Sequence, residues 1–164
     1  MQYRVVYFGV PLIVSIENGT VLSVLFADDK GKTIDDNIKV SNSLTDDLSA
    51  FAQGNHSVLK FSLEGAPLKI RPILLKAIDT PFGKVISYGG LSEAVFGNSR
   101  YSRFVGFAMG RNPLPVIVPC HRVVFADGTF NGFSAPLSIK RKLLEGEGVV
   151  SCNGKIDKTF FINF

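Results

Sequence analysis

Residues 1–26 alternate apolar and polar side chains in short runs, a period that suits strands rather than helices. The apolar runs cover residues 3–7, 11–14 and 21–26, and Glu17-Asn18-Gly19 separates the last two. An Asn-Gly pair between two such runs is typical of a hairpin turn. The pattern therefore predicts a small antiparallel sheet at the start of the chain.

Two apolar segments downstream predict helices. Ser43 is positioned to cap the first, whose apolar face begins at Leu44 and which Gly54 ends. The second helix begins with Pro72 at its first position, where a missing backbone N–H costs nothing. His56 follows the first helix in a polar loop and is expected to be a surface histidine.

Residues 87–112 break into two helical pieces joined by a turn at Gly97-Asn98, an arrangement that resembles a helix-turn-helix. On the second piece Arg103, Gly106 and Gly110 share the face opposite the apolar stripe. Each glycine costs a helix about 1 kcal/mol relative to alanine. Close approach of that face to a nucleic-acid groove would explain the glycines, and so would close helix packing within the protein.

The net charge of +4 is concentrated in the C-terminal half of the chain. Residues 1–80 hold 8 Lys and Arg against 9 Asp and Glu, whereas residues 81–164 hold 10 against 5. A basic half favours a polyanionic partner, because Lys and Arg release counterions from a phosphate backbone. A solvated basic face has the same composition, so charge alone leaves both readings open.

Composition also excludes several classes of protein. No apolar stretch reaches the roughly 18 residues of a membrane span, and the N-terminus lacks a signal-peptide core. We therefore expect a cytoplasmic protein with no membrane partner. Cys120 and Cys152 are too few for a disulfide scaffold, and no C-x-x-C pair indicates a metal site. We expect no bound metal, and Cys152 to be an inert thiol.

The segment Pro119-Cys120-His121-Arg122 follows the apolar run 114–118 and puts a potential nucleophile beside a potential base. A cysteine attacks as its thiolate, so a neighbouring imidazole, or a water held between the two, can hold it ready near neutral pH. If the segment is extended, consecutive side chains point to opposite sides. A water between the thiol and the imidazole is then the expected link.

Pro136 opens the last predicted helix, and Glu147 follows its end. Ile139 and Leu143 form the apolar side of this helix, and Lys140 is expected to project elsewhere. The tail from residue 149 to 164 could add a strand or pack as a clamp.

Residues 81–148 carry a series of short motifs in a fixed order. These are residues 81–88, Arg103-Phe104-Val105-Gly106, Ala108-Met109, residues 112–123, Gly132-Phe133-Ser134 and residues 140–148. With them the chain resembles the O6-alkylguanine-DNA alkyltransferases, also called methylated-DNA–protein-cysteine methyltransferases. The upstream Asn-Pro pair and the Pro-Cys-His-Arg core are the specific signature, and the thiol distinguishes the chain from alkyltransferase-like proteins with tryptophan there.

This resemblance implies an α+β fold in two parts. Residues 1–66 would form a structural domain of a small antiparallel sheet plus a helix, ribonuclease H-like. Residues 67–164 would form the DNA-binding alkyl-transfer domain, mostly helical and winged-helix-like, with the helix-turn-helix. The implied reaction repairs double-stranded DNA by irreversible, stoichiometric transfer of an alkyl group from O6 of a flipped guanine to Cys120. A monomer without a cofactor would suffice.

The resemblance also implies roles for individual residues. Cys120 would attack the alkyl carbon, His121 would take the thiol proton through water, and Glu147 would orient and charge the imidazole. Tyr88 would rotate the nucleotide outward and assist the leaving guanine, while Arg103 would replace the flipped base in the stack. The remaining implied assignments are a bracing role for Asn112, DNA contacts at Gly106, Arg111 and Arg122, and pocket walls at Pro115, Val123, Phe133 and Ser134.

Some positions depart from the family pattern. Gly89-Gly90 stand where longer helix formers are common, Tyr101 and Phe107 are bulky near the expected DNA face, and Ala135-Pro136 stand where glycines are frequent. These departures leave open a noncatalytic module that recognises alkylated DNA. A cysteine hydrolase or acyltransferase is a further alternative, although the sequence shows no evident oxyanion hole.

Overall fold

The computed structural model describes residues 1–27, 38–130 and 135–164. In these ranges the chain forms nine strands and five α-helices, which confirms the α+β class. The strands are β1 (Gln2–Tyr7), β2 (Val10–Glu17), β3 (Thr20–Phe26), β4 (Lys39–Val40), β5 (Lys60–Phe61), β6 (Ile86–Ser87), β7 (Val123–Val124), β8 (Ser151–Cys152) and β9 (Lys155–Ile156). The helices are α1 (Asn42–Ala52), α2 (Arg71–Ile78), α3 (Tyr88–Phe96), α4 (Ser102–Gly110) and α5 (Leu137–Gly146).

A five-stranded sheet forms from the N-terminal residues, in the order β4-β1-β2-β3-β5. The β2–β3 turn holds Asn18 at φ 49° and Gly19 at φ 75°, the left-handed backbone that a tight hairpin requires, so the predicted hairpin is confirmed. β1, β2 and β3 pair antiparallel. The two edge strands pair in parallel, because the chain reaches them by longer connections, and the sheet is mixed rather than purely antiparallel.

Helix α1 packs against the sheet through the apolar face that the sequence predicts. Its N-cap is Ser41, whose Oγ accepts from the backbone N–H of Leu44 at 3.3 Å. The prediction that Ser43 caps the helix is therefore wrong. Ser41 has the extended backbone of a capping residue, whereas Ser43 already lies in the first turn. Gly54 follows the helix end at φ 105°, as expected for the residue that turns the chain away.

The predicted pair of short helices is present as α3 and α4. Ser87 caps α3, since its Oγ accepts from the backbone N–H of Gly90 at 2.8 Å, and Gly97 ends α3 at φ 72°. A short 3-10 turn, Ser99–Tyr101, then leads into α4. α4 buries its apolar stripe and leaves Arg103 exposed on the other side.

The remaining helices are short. α2 begins at Arg71, so Pro72 takes the second position of the helix rather than the predicted first. Proline is tolerated at either position, because backbone N–H groups in the first turn of a helix have no acceptor within the helix. α5 begins directly after Pro136 and ends at Gly146, as the sequence predicts. In the described ranges, none of the helices is long and apolar enough to cross a membrane.

One hydrophobic core joins the N-terminal sheet to the C-terminal helices. It includes Leu12 and Val24 of the sheet together with Leu91 of α3 and Leu143 of α5. A second, smaller cluster forms around Val85, and the tail covers it. Two backbone hydrogen bonds of 2.9 Å hold the tail there: the Val85 N–H donates to the Phe160 carbonyl, and the Val85 carbonyl accepts from the Ile162 N–H. The tail therefore packs over this cluster and also adds strand pairing, since Phe161 forms an isolated parallel bridge with Val85. It combines the two arrangements expected from the sequence.

Candidate active site

The loop that leads from α4 to Cys120 is held at both ends. Asn112 ties it together: its Nδ2 donates to the Val118 carbonyl and its Oδ1 accepts from the Leu114 N–H, both at 2.9 Å. The N-terminal sheet adds a further bond, since the Val24 N–H donates to the Pro113 carbonyl at 2.9 Å. The loop that precedes the thiol is thus fixed by side chain and sheet together.

This loop contains a strained residue. Val116 has φ 76°, a left-handed backbone that is unfavourable for a β-branched side chain. Such a conformation persists only where surrounding contacts impose it. Here the side chain is 2% exposed, and the Val118 N–H closes the loop on the Leu114 carbonyl at 2.8 Å. The backbone around the thiol is therefore set by tertiary packing.

Cys120 opens a short 3-10 turn, Cys120–Arg122, and is 3% exposed. The segment is a turn rather than the extended strand considered from the sequence, but consecutive side chains in a turn also diverge. Burial raises the pKa of the Cys120 thiol, while Asn112, Lys140 and the backbone N–H groups of Cys120 and His121 act in the opposite direction. The thiol is thus protonated at neutral pH and needs a base in order to react.

His121 is fully buried and hydrogen-bonds to Glu147, with 2.8 Å between Nε2 and Oε1. Burial lowers the pKa of His121 more strongly than Glu147 raises it, and the imidazole is neutral at neutral pH. An ionised carboxylate can only accept, so the ring proton is assigned to Nε2. Nδ1 is then the basic nitrogen, and no side chain or backbone group among the described residues hydrogen-bonds to it.

Arg122 does not face solvent, and the prediction that it contacts DNA is wrong. It is 3% exposed, and its Nε and Nη2 donate to the two oxygens of Glu147 at 2.8 and 2.9 Å. Nη1 donates to the Thr80 carbonyl at 2.7 Å and Nη2 to the Ala52 carbonyl at 3.0 Å. A guanidinium with these partners cannot reach a phosphate; instead it compensates the buried charge of Glu147 and links α1 to the site.

Glu147 caps the end of α5 and receives bonds from three directions. Besides His121 and Arg122, the backbone N–H of Gly83 donates to its Oε2 at 3.3 Å. Burial raises the pKa of Glu147, but His121 and Arg122 outweigh that effect and hold its pKa at about 2. The carboxylate is therefore ionised, with Arg122 as its fixed counter-charge.

A cleft of about 400 Å³ opens between α3, α4 and the residues that follow β7. Tyr88 and Arg103 line it, together with Gly106 and Phe125, and the rings of Tyr88 and Phe125 lie 5.2 Å apart. Burial, and after it the negative charge of Cys120 in its thiolate form, raises the pKa of Tyr88 to about 12. The Tyr88 hydroxyl therefore keeps its proton and can donate a hydrogen bond to a molecule in the cleft.

Lys140 is a site residue that the sequence reasoning missed. It is fully buried, and its Nζ donates to the Val123 carbonyl at 2.6 Å, so the expectation that it projects away from the apolar side is wrong. Burial lowers the pKa of Lys140 to about 8, whereas Cys120 raises it. The helical spacing could have indicated this burial, because Lys140 lies three and four residues before the apolar Leu143 and Leu144 and so shares their side of the helix.

The other predicted site residues fall into three groups. Pro115 and Val123 are buried beside the loop and the turn that carry Cys120. Arg111 is exposed at the end of α4, with its guanidinium 3.9 Å from the centre of the Phe107 ring. Phe133 and Ser134 lie outside the described residues, so their place in the pocket stays a prediction.

Comparisons with known proteins point to one family. Residues 73–149 match the DNA-binding domain of 6-O-methylguanine DNA methyltransferase. The methylated-DNA–protein-cysteine methyltransferase of Methanosarcina acetivorans is 44% identical over 70 residues, 43% of this chain and 44% of that protein. The protein of the same name from Saccharolobus islandicus is 36% identical over 134 residues, 74% of this chain and 85% of that one. This chain belongs to the methylated-DNA–protein-cysteine methyltransferase family.

A solved structure extends the likeness to the N-terminal sheet. The crystal structure of O6-methylguanine-DNA methyltransferase from Pyrococcus kodakaraensis superposes with a TM-score of 0.66 at 29% identity, covering 90% of this chain and 98% of that one. The Methanosarcina alignment spans less than half of its own protein, whereas the Saccharolobus alignment and this superposition span most of theirs. The family resemblance stated from the sequence is confirmed.

Proposed function

We propose that this chain repairs DNA by moving an alkyl group, typically methyl, from O6 of guanine to Sγ of Cys120. The S–C bond forms as the O6–C bond breaks, and the thiol proton passes to His121. The departing guanine anion accepts a hydrogen bond and then a proton from Tyr88, and Tyr88 regains a proton from the His121 imidazolium by way of solvent. The product is a thioether on an sp3 carbon, which water cannot hydrolyse as it would a thioester. Each molecule therefore acts once, and the reaction needs no cofactor.

The observation that carries this proposal is the buried arrangement of thiol, imidazole and carboxylate. A neutral His121 with Nε2 bonded to Glu147 leaves Nδ1 as the base, and Cys120 is the neighbouring acid that needs one. Glu147 then stabilises the imidazolium that forms, as carboxylates do in catalytic triads. We propose that a water links Cys120 to Nδ1.

The exposed face of α4 supports duplex DNA as the substrate. Within the described ranges, no hydrogen bond or ion pair engages the Arg103 side chain, which borders the cleft beside Tyr88. An added Cβ at Gly106 would meet the Tyr88 ring at an ordinary 3.9 Å, and one at Gly110 would meet nothing within 4 Å. Packing inside the protein does not explain these glycines, which favours close approach of a DNA groove.

The finer expectations remain part of this proposal. We propose residues 1–66 as a ribonuclease H-like structural domain and residues 67–164 as a winged-helix-like domain whose helix-turn-helix, α3 and α4, binds double-stranded DNA. Arg103 would fill the space of the flipped base, Arg111 would contact phosphate, and Pro115 and Val123 would wall the guanine pocket. We further propose a cytoplasmic monomer.

Mass spectrometry of the intact protein tests the proposal. After incubation with an oligonucleotide that contains O6-methylguanine, the protein should gain the mass of one methyl replacing one hydrogen, and the gain should stop at one per molecule. The Cys120→Ala variant should gain nothing while still binding the oligonucleotide. Binding without a mass gain in the unaltered protein would instead indicate a recognition module, and repeated turnover of an ester would indicate a hydrolase.

Substitution of Gly106 by alanine separates stability from DNA binding. Alanine in mid-helix should stabilise the protein by about 0.5–1 kcal/mol, since the modest contact at Gly106 leaves room for a methyl group. The same methyl should weaken duplex binding by holding α4 away from the groove. Thermal unfolding and binding titrations measure the two effects, and unchanged duplex binding would contradict the proposed approach of this face.

A further inference from the structure

Four aromatic residues form a continuous row beside the proposed DNA face. The row, called here the aromatic strip, consists of Phe96, Tyr101, Phe104 and Phe107. Its ring centres are 4.9 Å apart for Phe96–Tyr101, 6.3 Å for Phe96–Phe104 and 6.0 Å for Phe104–Phe107. The strip therefore extends from the end of α3 along the outer side of α4.

Three members of the strip are exposed although they are large and apolar. Tyr101 and Phe107 keep 49% and 46% of their surface exposed and Phe96 keeps 36%, whereas Phe104 packs against the core. Packing against the core thus explains the aromatic side chain of Phe104 but not the other three rings. Contiguous exposed apolar groups on a soluble surface usually mark a binding site.

Position and charge indicate what kind of partner the strip binds. Phe107 follows Arg103 by one helical turn on the exposed face, and glycines precede it at Gly106 and follow it at Gly110. Its ring therefore lies beside two positions that carry no side chain, with Phe104 and Arg111 as its neighbours. Arg111 lies against this ring, and Arg100 sits on the turn that carries Tyr101, so the strip is bordered by positive charge.

Aromatic rings among arginines are the surface that single-stranded nucleic acid binds. Bases stack on the rings because every base has a π-face, while arginines contact the phosphates. Paired bases present only their edges in a groove, so a phenyl ring stacks on a base face only where the bases are unpaired or separated. The bulky residues that depart from the family pattern thus suit DNA whose bases are already unpaired.

We propose that the aromatic strip binds unpaired bases of the DNA strand next to the lesion, so that the protein takes lesions from single-stranded or locally opened DNA. The proposal rests on the proposed DNA-binding face of α4. It adds a preference for opened DNA to the duplex repair described above.

Binding of undamaged oligonucleotides tests the strip without requiring any alkyl transfer. Fluorescence anisotropy at one fixed salt concentration would compare a single strand, a fully paired duplex and a duplex with a central unpaired bubble. Phe107→Ala should weaken binding to the single strand and the bubble by about 5- to 150-fold, the range expected for loss of one base–aromatic stack. The paired duplex should lose less than about threefold.

Two further variants keep the test decisive. Tyr101→Ala should reproduce the selective loss, because it removes a second exposed ring. Phe164→Ala is the matched control: it removes a ring that is 50% exposed and that contacts Lys76 of α2 rather than the strip, and it should change no binding. The two substituted rings, Phe107 and Tyr101, lie at the surface, so both variants are expected to fold. Thermal unfolding verifies this.

Any other result of these binding titrations overturns the proposal. Equal losses on all three DNAs would make Phe107 a wedge for duplex DNA. Unchanged binding, together with a concentration-dependent dimer in sedimentation that Phe107→Ala dissolves, would assign the strip to a second copy of the chain. Failure of methyl transfer in the unaltered protein would refute the proposed reaction alone, since these titrations measure binding only.

Discussion

Replacing Glu147 by glutamine should destabilise the protein by about 3 kcal/mol or more at neutral pH. The variant leaves the guanidinium of Arg122 buried and without its counter-charge, and an uncompensated buried charge is among the most costly changes in a folded protein. Unfolding in urea, compared between the two proteins at pH 7, measures this loss.

The size of that loss should depend on pH. The pKa of Glu147 is about 2 in the folded protein and near 4.5 when the group is free. A carboxylate with a lowered pKa stabilises the fold above its ordinary pKa and loses this contribution as the pH falls towards the folded-state value. The difference between the unaltered protein and Glu147→Gln should therefore be complete above about pH 5 and shrink as the pH approaches about 2. A difference that does not change with pH would contradict the assignment of an ionised Glu147.

The same substitution should slow alkyl transfer by about 10²- to 10⁴-fold, the usual contribution of general base catalysis. Glutamine can still accept the Nε2–H of His121, but it cannot stabilise the imidazolium by charge. The double variant Glu147→Gln/Arg122→Met removes both buried charges and should regain much of the stability. Its transfer should stay slow. Recovery of the rate together with the stability would show that Glu147 only holds the fold.

Local patterns in the sequence were sufficient for most of the secondary structure. The Asn18-Gly19 hairpin, the end of α3 at Gly97 and the start of α5 after Pro136 all depend on the backbone preferences of one or two residues. The parallel edge strands were not predictable in this way, because β4 and β5 are two residues long and show no alternation. The cap at Ser41 was missed because several serines nearby can serve and only the tertiary path selects one.

The sequence motif was sufficient to identify the reacting residues of the site. It was not sufficient to predict the partners of side chains that are buried in the fold. Cys120, His121 and Glu147 were found from the sequence, and the last two meet in a buried hydrogen bond. Arg122 belongs to the same motif, but its direction depends on carboxylate and carbonyl groups that lie 25 to 70 residues away. Lys140 was taken as a surface lysine because charge usually indicates exposure, whereas its Nζ donates to the Val123 carbonyl inside the fold.

Arg103→Ala is expected to separate repair of duplex DNA from the chemistry at Cys120. If Arg103 occupies the space of the flipped base, its loss removes part of the few kcal/mol that keep the guanine out of the stack. Reaction with duplex DNA should then slow by about 30- to 100-fold. Reaction with free O6-alkylguanine base, which needs no flipping, should change by less than about twofold. Single-turnover rates on the two substrates provide the measurement.

Arg100→Ala is the matched control, because Arg100 is also exposed and its loss removes the same charge three residues earlier. It should weaken duplex binding modestly and reduce the salt dependence, as loss of one phosphate contact does, without a selective effect on repair. A duplex with the lesion opposite an abasic site adds a second check, since the unpaired guanine is easier to flip and the defect of Arg103→Ala should shrink there. Equal defects on duplex, abasic duplex and free base would mean that Arg103 supports the site itself rather than the flipped state.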